Sequence, residues 1–211
     1  MGTRAASAGE TASLWRGGVQ PFAVSHAKLG MWLFLVSDSL TFAAMLFSYA
    51  YLRNASAHWP APFQFFPSIV VSTLMTFCLL TSSYTMVRAV RAAHAADTAG
   101  AVRWLQATMA GGVAFLALHL NEWRLLWGEG MTPRANPWGD PMFGATFFTL
   151  TGLHMLHVAT GVAALGAMSL RLRAGRTTGE GIEIAGLYWH FVDLVWMFLF
   201  PLVYLLSVRA R

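Results

Sequence analysis

Long apolar stretches, separated by short polar ones, run through most of the chain. Five of them reach the length of about 20 residues that one crossing of a lipid bilayer requires of a helix. They cover about residues 29–52, 66–87, 105–127, 143–170 and 184–208. Neither an amphipathic soluble helix nor a strand-like alternation competes with them. The pattern predicts an all-α polytopic membrane protein, with five transmembrane helices in one bundle over residues 26–211 and a flexible N-terminal arm at 1–25.

The composition agrees with a membrane protein. Hydrophobic residues make up 56% of the chain and charged residues 11%, whereas soluble domains carry about 25% charged residues. The net charge of +5 would suggest nucleic acid as a partner of a soluble protein, but here the basic residues lie in short loops, so we expect no nucleic-acid binding. The only cysteine, Cys78, lies in an apolar stretch. It is expected to be a small buried side chain, and one cysteine excludes a disulfide framework and a cysteine-based metal cluster.

The distribution of lysine and arginine predicts the direction of the helices. Nine of these residues fall on the side of the N-terminus, namely Arg4, Arg16, Lys28, Arg88, Arg91, Arg103, Arg171, Arg173 and Arg176. Five fall on the opposite side, namely Arg53, Arg124, Arg134, Arg209 and Arg211. The positive-inside rule therefore places the N-terminus in the cytoplasm and the C-terminus outside. Residues 1–20 lack the apolar core of a cleavable signal peptide, so the first helix is expected to serve as the insertion signal.

The fifth apolar stretch contains ionisable residues. His190 and Asp193 lie three residues apart, and Trp196 continues the same helical face one turn later. An ionisable group in the hydrocarbon region costs about 2.5–3.5 kcal/mol on insertion scales. We therefore expect this polar stripe to face protein rather than lipid.

Asp38 lies near the middle of the first apolar stretch, and Thr41 follows on the same face as its expected hydroxyl partner. Two interpretations remain open for this carboxyl group. It forms a hydrogen bond between helices, or it takes part in proton movement. We also expect Asp38, His190 and Asp193 to form one buried polar cluster.

His154 and His157 lie in the middle of the fourth stretch and share a face with Thr151. Paired histidines inside a membrane suggest a haem or metal ligand. A metal site normally needs three or four ligands, however. Structural hydrogen bonding is therefore the favoured interpretation, and no metal is assigned to this chain.

Two further polar groups are expected near a membrane surface. Glu122 lies towards the end of the third stretch, within reach of Arg124 or His119, which favours an ion pair or contact with a lipid headgroup. Trp59 lies in the proline-rich turn of residues 58–62, where a tryptophan suits the headgroup level.

Four segments carry a recognisable family pattern. They read LGMWLFLVSD at 29–38, STLMTFCLLTSSYTM at 72–86, FFTLTGLHMLHV at 147–158 and EIAGLYWHFVDLVW at 183–196. In this order and spacing they resemble the cytochrome c oxidase subunit III family of haem-copper terminal oxidases, over about residues 26–207. Glu122, before Trp123, also falls where that family has a glutamate before an aromatic residue.

The resemblance implies an accessory subunit without a redox cofactor. Its partners would be catalytic subunit I, subunit II and other respiratory subunits, with haem and copper bound by the partners. The complex would reduce dioxygen to water and pump protons, and this subunit would support proton uptake and sustained turnover, with phospholipids held between its helices. The implied site residues are Asp38 as the buried carboxylate and, at motif positions, His154, His157, Glu183, His190, Asp193 and Trp196.

Three departures from the family pattern leave alternatives open. The chain has five predicted helices where long members have seven, and His119 stands for a more usual glutamine or glutamate. Asp38 stands where cytochrome c oxidases commonly have glutamate. The shorter aspartate resembles the quinol-oxidase branch, so the electron donor is open. The alternatives are an accessory subunit of a quinol oxidase or nitric oxide reductase, and a haem-b anchor with histidine ligands from two helices. A small transporter is disfavoured because no internal repeat is evident.

Overall fold

A computed structural model describes residues 24–209, and within this range the regular elements are helices. The five long ones are α1 (His26–Ala55), α2 (Val70–His94), α3 (Thr98–Gly128), α4 (Met142–Arg173) and α5 (Gly179–Leu199). A turn at Phe65–Ile69 leads into α2, and turns at Phe200–Tyr204 and Leu205–Ser207 prolong α5. The all-α class is confirmed, whereas the direction across the membrane stays a prediction. The predicted arm lies outside the described residues except for 24 and 25.

All five helices are long and apolar enough to cross a membrane. With the turns that extend them they have 29 to 32 residues, which at about 1.5 Å per residue exceeds the hydrocarbon thickness of about 30 Å. Each is therefore longer than one perpendicular crossing requires. The helix α3 begins seven residues before the predicted stretch because Asp97 caps it, its carboxylate accepting a hydrogen bond from the backbone N–H of Gly100 at 2.8 Å. Hydropathy alone does not detect such a polar first turn.

Helices α2 to α5 form the body of the bundle, and α1 lies against its side. The most extensive packing is between α2 and α3, and α5 packs against both α2 and α4. The helix α1 packs mainly along α5 and α4. Its buried residues are Leu35, Phe42 and Tyr49, which are spaced seven residues apart and so form a narrow stripe. Most of the α1 surface therefore faces away from its own chain.

The two ends of the bundle are built differently. We call the end with residues 24–30, 94–98 and 173–180 the N-terminal end, and the end with residues 53–70, 126–143 and 203–209 the C-terminal end. At the C-terminal end the chain pairs with itself: the N–H of Phe63 donates to the carbonyl of Ser207 at 3.3 Å, and the N–H of Arg209 donates to the carbonyl of Phe63 at 2.9 Å. The ring of Phe63 stacks on Tyr204 with centroids 4.9 Å apart. The loop after α1 is thus fixed to the end of α5.

Candidate functional site

Asp38 of α1 meets His157 of α4 inside the bundle. The His157 Nε2 atom lies 3.2 Å from Asp38 Oδ2, and the two side chains are only 15% and 14% exposed. The two atoms are within ion-pair distance, but their approach does not have the geometry of a regular hydrogen bond. Thr41, the expected partner, instead donates its hydroxyl to the carbonyl of Ser37 at 3.4 Å. The sequence thus identified the buried carboxyl group but not its partner.

The tautomer of His157 follows from its second contact. The His157 Nδ1 atom lies 2.8 Å from the carbonyl oxygen of Leu153, and a carbonyl can only accept, so Nδ1 carries a hydrogen. Nε2 is therefore bare in the neutral ring and can accept a proton from Asp38. The carboxyl and the imidazole can share one proton, either as acid and neutral ring or as carboxylate and imidazolium. The geometry therefore allows one proton to be held between α1 and α4.

Aromatic side chains surround this pair. The ring of Phe42 stands edge-on to His157 at 5.2 Å. The Tyr188 hydroxyl donates to the carbonyl of His157 at 3.0 Å and lies 2.9 Å from the Thr160 hydroxyl. Tyr188 therefore fixes the α4 backbone that carries the imidazole, a contact between α4 and α5 that sequence spacing does not reveal.

His190 and Asp193 of α5 face α2 rather than Asp38. The His190 Nδ1 atom lies 2.6 Å from the hydroxyl of Ser83, which also interacts with the carboxyl group of Asp193. The expected cluster of Asp38, His190 and Asp193 is therefore two groups, because α1 and α2 meet different sides of α5. Ser83 belongs to the hydroxyl-rich segment of the family pattern, which was the available signal for it.

His154 lies in an aromatic cluster and not in a hydrogen-bonded pair. Its ring stacks on Trp196 with centroids 5.2 Å apart, while Phe115 lies 4.8 Å from Trp196 and His119 lies 5.5 Å from it. All four side chains are fully buried. Both ring nitrogens of His119 and of His154 lack a hydrogen-bond partner within residues 24–209. The expectation of structural hydrogen bonding thus holds for His157 but is wrong for His154, which is held by packing.

The described part of the chain contains no group of three or more His, Cys, Asp or Glu side chains placed to hold one metal ion. His154 and His157 lie one turn apart but meet different helices. Cys78 is half-buried and its thiol is free.

Glu122 of α3 has partners other than those expected. The Tyr204 hydroxyl donates to Glu122 Oε2 at 2.7 Å, and the Ser72 hydroxyl lies 3.4 Å from Oε1. Arg124 is exposed and donates to the Asn121 side chain at 3.1 Å. The expected pairing of Glu122 with Arg124 or His119 is wrong. Arg124, two residues on, points to a different side of the helix, and His119, although one turn away, packs on Trp196 with both ring nitrogens unbonded within residues 24–209.

Trp59 packs on protein at the C-terminal end of the bundle. Its ring lies 5.5 Å from Tyr49 and 5.7 Å from Phe143, edge-on to both. Its indole nitrogen is buried. The tryptophan expected to face the headgroups is therefore chiefly a packing residue between α1 and α4.

Glu183 joins three helices at the N-terminal end. Its Oε1 atom lies 2.5 Å from Lys28 Nζ of α1, and its Oε2 atom lies 3.4 Å from His94 Nε2 of α2. The Glu183 side chain is about a third exposed. The motif glutamate therefore connects the start of the loosely packed α1 to the bundle.

Replacement of Glu183 by glutamine is expected to loosen only the start of α1. Exposed ion pairs contribute about 0–1 kcal/mol, so amide hydrogen exchange at residues 29–33 should accelerate about twofold to fivefold, and the thermal midpoint should barely move. Hydrogen exchange followed by mass spectrometry measures this. Glu180→Gln is the control because Glu180 forms no ion pair among the described residues. Equal exchange in both variants would contradict the assigned contact.

Comparison with known proteins now identifies the family. The profile of the family described as cytochrome c oxidase subunit III matches residues 11–208. The chain is 33% identical to cytochrome bo(3) ubiquinol oxidase subunit 3 of Pseudomonas aeruginosa over 187 residues, which cover 86% of each chain. It is 34% identical to cytochrome c oxidase subunit 3 of Thermostichus vulcanus over 196 residues, covering 88% of this chain and 93% of that protein.

A third relative supports the same assignment. Cytochrome c oxidase subunit 3 of Synechocystis sp. is 35% identical over 181 residues, covering 84% of this chain and 74% of that protein. Relatives from cytochrome c oxidases and from a ubiquinol oxidase thus match at similar identity over most of their length. The chain belongs to the cytochrome c oxidase subunit III family of haem-copper oxidases.

Proposed function

We propose that this chain is the accessory subunit III of a haem-copper terminal oxidase in a bacterial cytoplasmic membrane, without a redox centre of its own. Family membership over most of the chain supports this role. Catalytic subunits I and II would carry the haem and copper that reduce dioxygen to water with proton pumping. Since relatives of both donor classes match, the proposal covers cytochrome c and quinol as electron donors.

The observation that carries the proposal is the contact between Asp38 and His157. A carboxyl and an imidazole that share one proton between two membrane helices form a group suited to proton uptake. The lining by Phe42 and Tyr188 keeps lipid tails from the pair and limits the entry of water. Asp38 would accept a proton and pass it to His157 Nε2, while the carbonyl of Leu153 keeps the ring in place.

A lipid role would belong to a groove beside this pair. A groove of about 470 Å³ runs between α1, α4 and α5. Its lining is almost wholly apolar and includes Met31, Phe34, Ala164, Ile184 and Tyr188. An acyl chain is the ligand that such a lining fits. Because Tyr188 both lines the groove and bonds to His157, a bound chain would stabilise the surroundings of the proton-sharing pair.

The assembly itself can be tested by native purification. The chain is expected to co-migrate with subunits that show haem absorption in a reduced-minus-oxidised spectrum. After the subunits are separated, this chain is expected to carry neither iron nor copper. Stoichiometric haem on the separated chain would overturn the accessory role in favour of a haem-b anchor.

The Asp38→Ala variant is expected to assemble normally and to take up protons more slowly. We expect about a threefold loss in sustained turnover, which corresponds to about 0.6 kcal/mol in activation free energy. His157→Ala should give a similar loss, and the double variant should add little, since the two side chains act as one unit. Oxygen consumption and proton uptake by the purified complex in vesicles measure this.

The matched control is Ser39→Ala, beside Asp38. Among residues 24–209 the exposed Ser39 hydroxyl bonds only to the carbonyl of Val36. It should leave turnover unchanged. Unaltered initial and prolonged activity of the Asp38→Ala complex would reduce Asp38 to a packing residue, and additive losses in the double variant would refute the shared proton.

A further inference from the structure

A second cavity lies at the C-terminal end of the bundle, beside the last turns of α3. Its volume of about 550 Å³ falls in the usual range of about 300–1,000 Å³ for small-molecule sites. The start of α2, the end of α3, the loop at 129–141 and the last described residues enclose it. Its polar lining consists of Gln64, Ser68, Asn121, Glu122, Glu129 and Arg209. None of these residues belongs to the Asp38–His157 pair or to the apolar groove.

A fixed carboxyl group lines this cavity. Glu122 is 8% exposed, its Oε2 atom accepts from the Tyr204 hydroxyl at 2.7 Å, and its Oε1 atom lies 3.4 Å from the Ser72 hydroxyl. The hydroxyl hydrogen of Ser72 is directed to the carbonyl of Ser68 at 2.8 Å, so Oε1 and the remaining lone pair of Oε2 can accept from a ligand. The polar part of the cavity is therefore an acceptor in a fixed position.

Charges of both signs remain unpaired in the same cavity. Within residues 24–209, neither Glu129 nor Arg209 forms an ion pair. Glu129 also caps the C-terminus of α3, where the helix dipole disfavours negative charge and favours a bound cation. The Arg209 backbone is held by its bond to Phe63. The cavity thus offers carboxyl groups to a cation and one guanidinium to an anion, which suits a ligand that carries both.

An apolar surface adjoins the cavity. Phe65, Phe66 and Leu125 are 68%, 73% and 54% exposed, and they stand at the start of α2 and the end of α3. Helix ends of this length reach the headgroup layer, so a ligand here can hold a polar head in the cavity and lay an apolar tail along these side chains. This combination is that of a membrane lipid.

We propose that this cavity binds the headgroup of a phospholipid with a primary ammonium group. The ammonium lies against Glu122 and Glu129, and the phosphate lies against Arg209. A phospholipid without a cationic group lacks a partner for the two glutamates. The inference rests on the proposed function only in placing the chain in a membrane-bound oxidase complex, and its site is separate from the groove between α1, α4 and α5.

The test uses the purified oxidase complex in nanodiscs with a phosphatidylethanolamine that carries a photoactivatable diazirine on its acyl chain. A phosphatidylglycerol with the same chain is the matched probe. After irradiation, mass spectrometry of the peptides should show ethanolamine-specific labelling within residues 63–74 and 120–127. The double variant Glu129→Gln/Arg209→Gln should lower that labelling about tenfold, because it removes charge-assisted hydrogen bonds. Both side chains are exposed, so the variant keeps the fold.

Arg134→Gln is the control variant, since Arg134 is exposed at the same end but does not line the cavity. Labelling of the groove near Phe34 and Ala164 is the internal reference. Groove labelling without cavity labelling would overturn this inference alone, whereas loss of both would also refute the lipid part of the proposed function. Equal labelling by the two lipids, or unchanged labelling in the double variant, would overturn the headgroup assignment.

Two further outcomes identify another occupant. Protection of the cavity by soluble phosphoethanolamine, without any labelling by the lipid, would assign it to a soluble ligand and overturn the lipid proposal. A crosslink from a photoreactive residue at position 138 to a partner subunit, with no lipid label, would assign the cavity to a protein contact and overturn it equally.

Discussion

Replacement of Trp196 by alanine is expected to destabilise the bundle by about 3–5 kcal/mol, the cost of removing a large buried aromatic side chain. Trp196 is fully buried and is the side chain against which Phe115 and His154 pack, at 4.8 and 5.2 Å. Its indole donates to the Thr76 hydroxyl at 3.0 Å. That hydroxyl also donates to the carbonyl of Ser72, so the loss is chiefly one of packing. The yield of assembled complex should fall strongly.

Two controls define this prediction. Trp196→Phe keeps most of the ring contacts and should destabilise the bundle by only about 1–2 kcal/mol, well below the effect of alanine. Trp32→Ala removes the same side chain from α1, where it is 50% exposed, and should leave the isolated subunit's stability nearly unchanged. Thermal unfolding of the detergent-purified protein measures all three variants. Similar midpoints for Trp196→Ala and Trp32→Ala would contradict the central role of Trp196.

The Gly112→Ala variant is expected to lose stability although alanine favours helices. An added Cβ at Gly112 would stand 2.5 Å from Trp189 Cη2 and 2.8 Å from Val162 Cγ2. Trp189 is 1% exposed, and its indole donates to Ser82 at 3.0 Å, so the ring has little freedom to move. Overpacking costs about 1–3 kcal/mol, and so close a contact should reach the upper part of that range. The gain of about 1 kcal/mol from helix propensity does not offset it.

Gly166→Ala is the matched control for this substitution. The nearest atom to its added Cβ, Met109 Sδ, lies at an ordinary distance of 3.7 Å. Without overpacking, this variant should be neutral or up to about 1 kcal/mol more stable. Thermal unfolding and the yield of complex compare the two. An equal rise in stability for both variants would show that α3 does not approach α4 and α5 as closely as described.

Hydropathy predicted the five helices because a membrane helix must satisfy its backbone internally and therefore shows a long apolar stretch. The ends were less predictable, as the start of α3 at its Asp97 cap shows. The direction of crossing rests on charge counts, which the fold does not test.

The partners of the polar residues could not be predicted because spacing reports only which residues share a face of one helix. Asp38 illustrates this limit: Thr41 was the obvious neighbour by spacing, while the actual contact, His157, lies on a helix more than a hundred residues later. His154 and His157 illustrate it again. They lie about 60° apart around α4, which is enough to bring one to α1 and the other to the aromatic core. Only the relative position of three helices distinguishes them.

The narrow buried stripe of α1, formed by Leu35, Phe42 and Tyr49, has a consequence for assembly. Leu33, Leu40 and Phe47 repeat at the same seven-residue interval as the buried stripe, lie about 160° around the helix from it, and are 65%, 67% and 74% exposed. The helix thus carries two opposed rows of large apolar side chains, one buried against the bundle and one exposed. A helix with two such rows can be covered on both sides, so α1 is suited to lie between its own bundle and a neighbouring helix of a larger assembly.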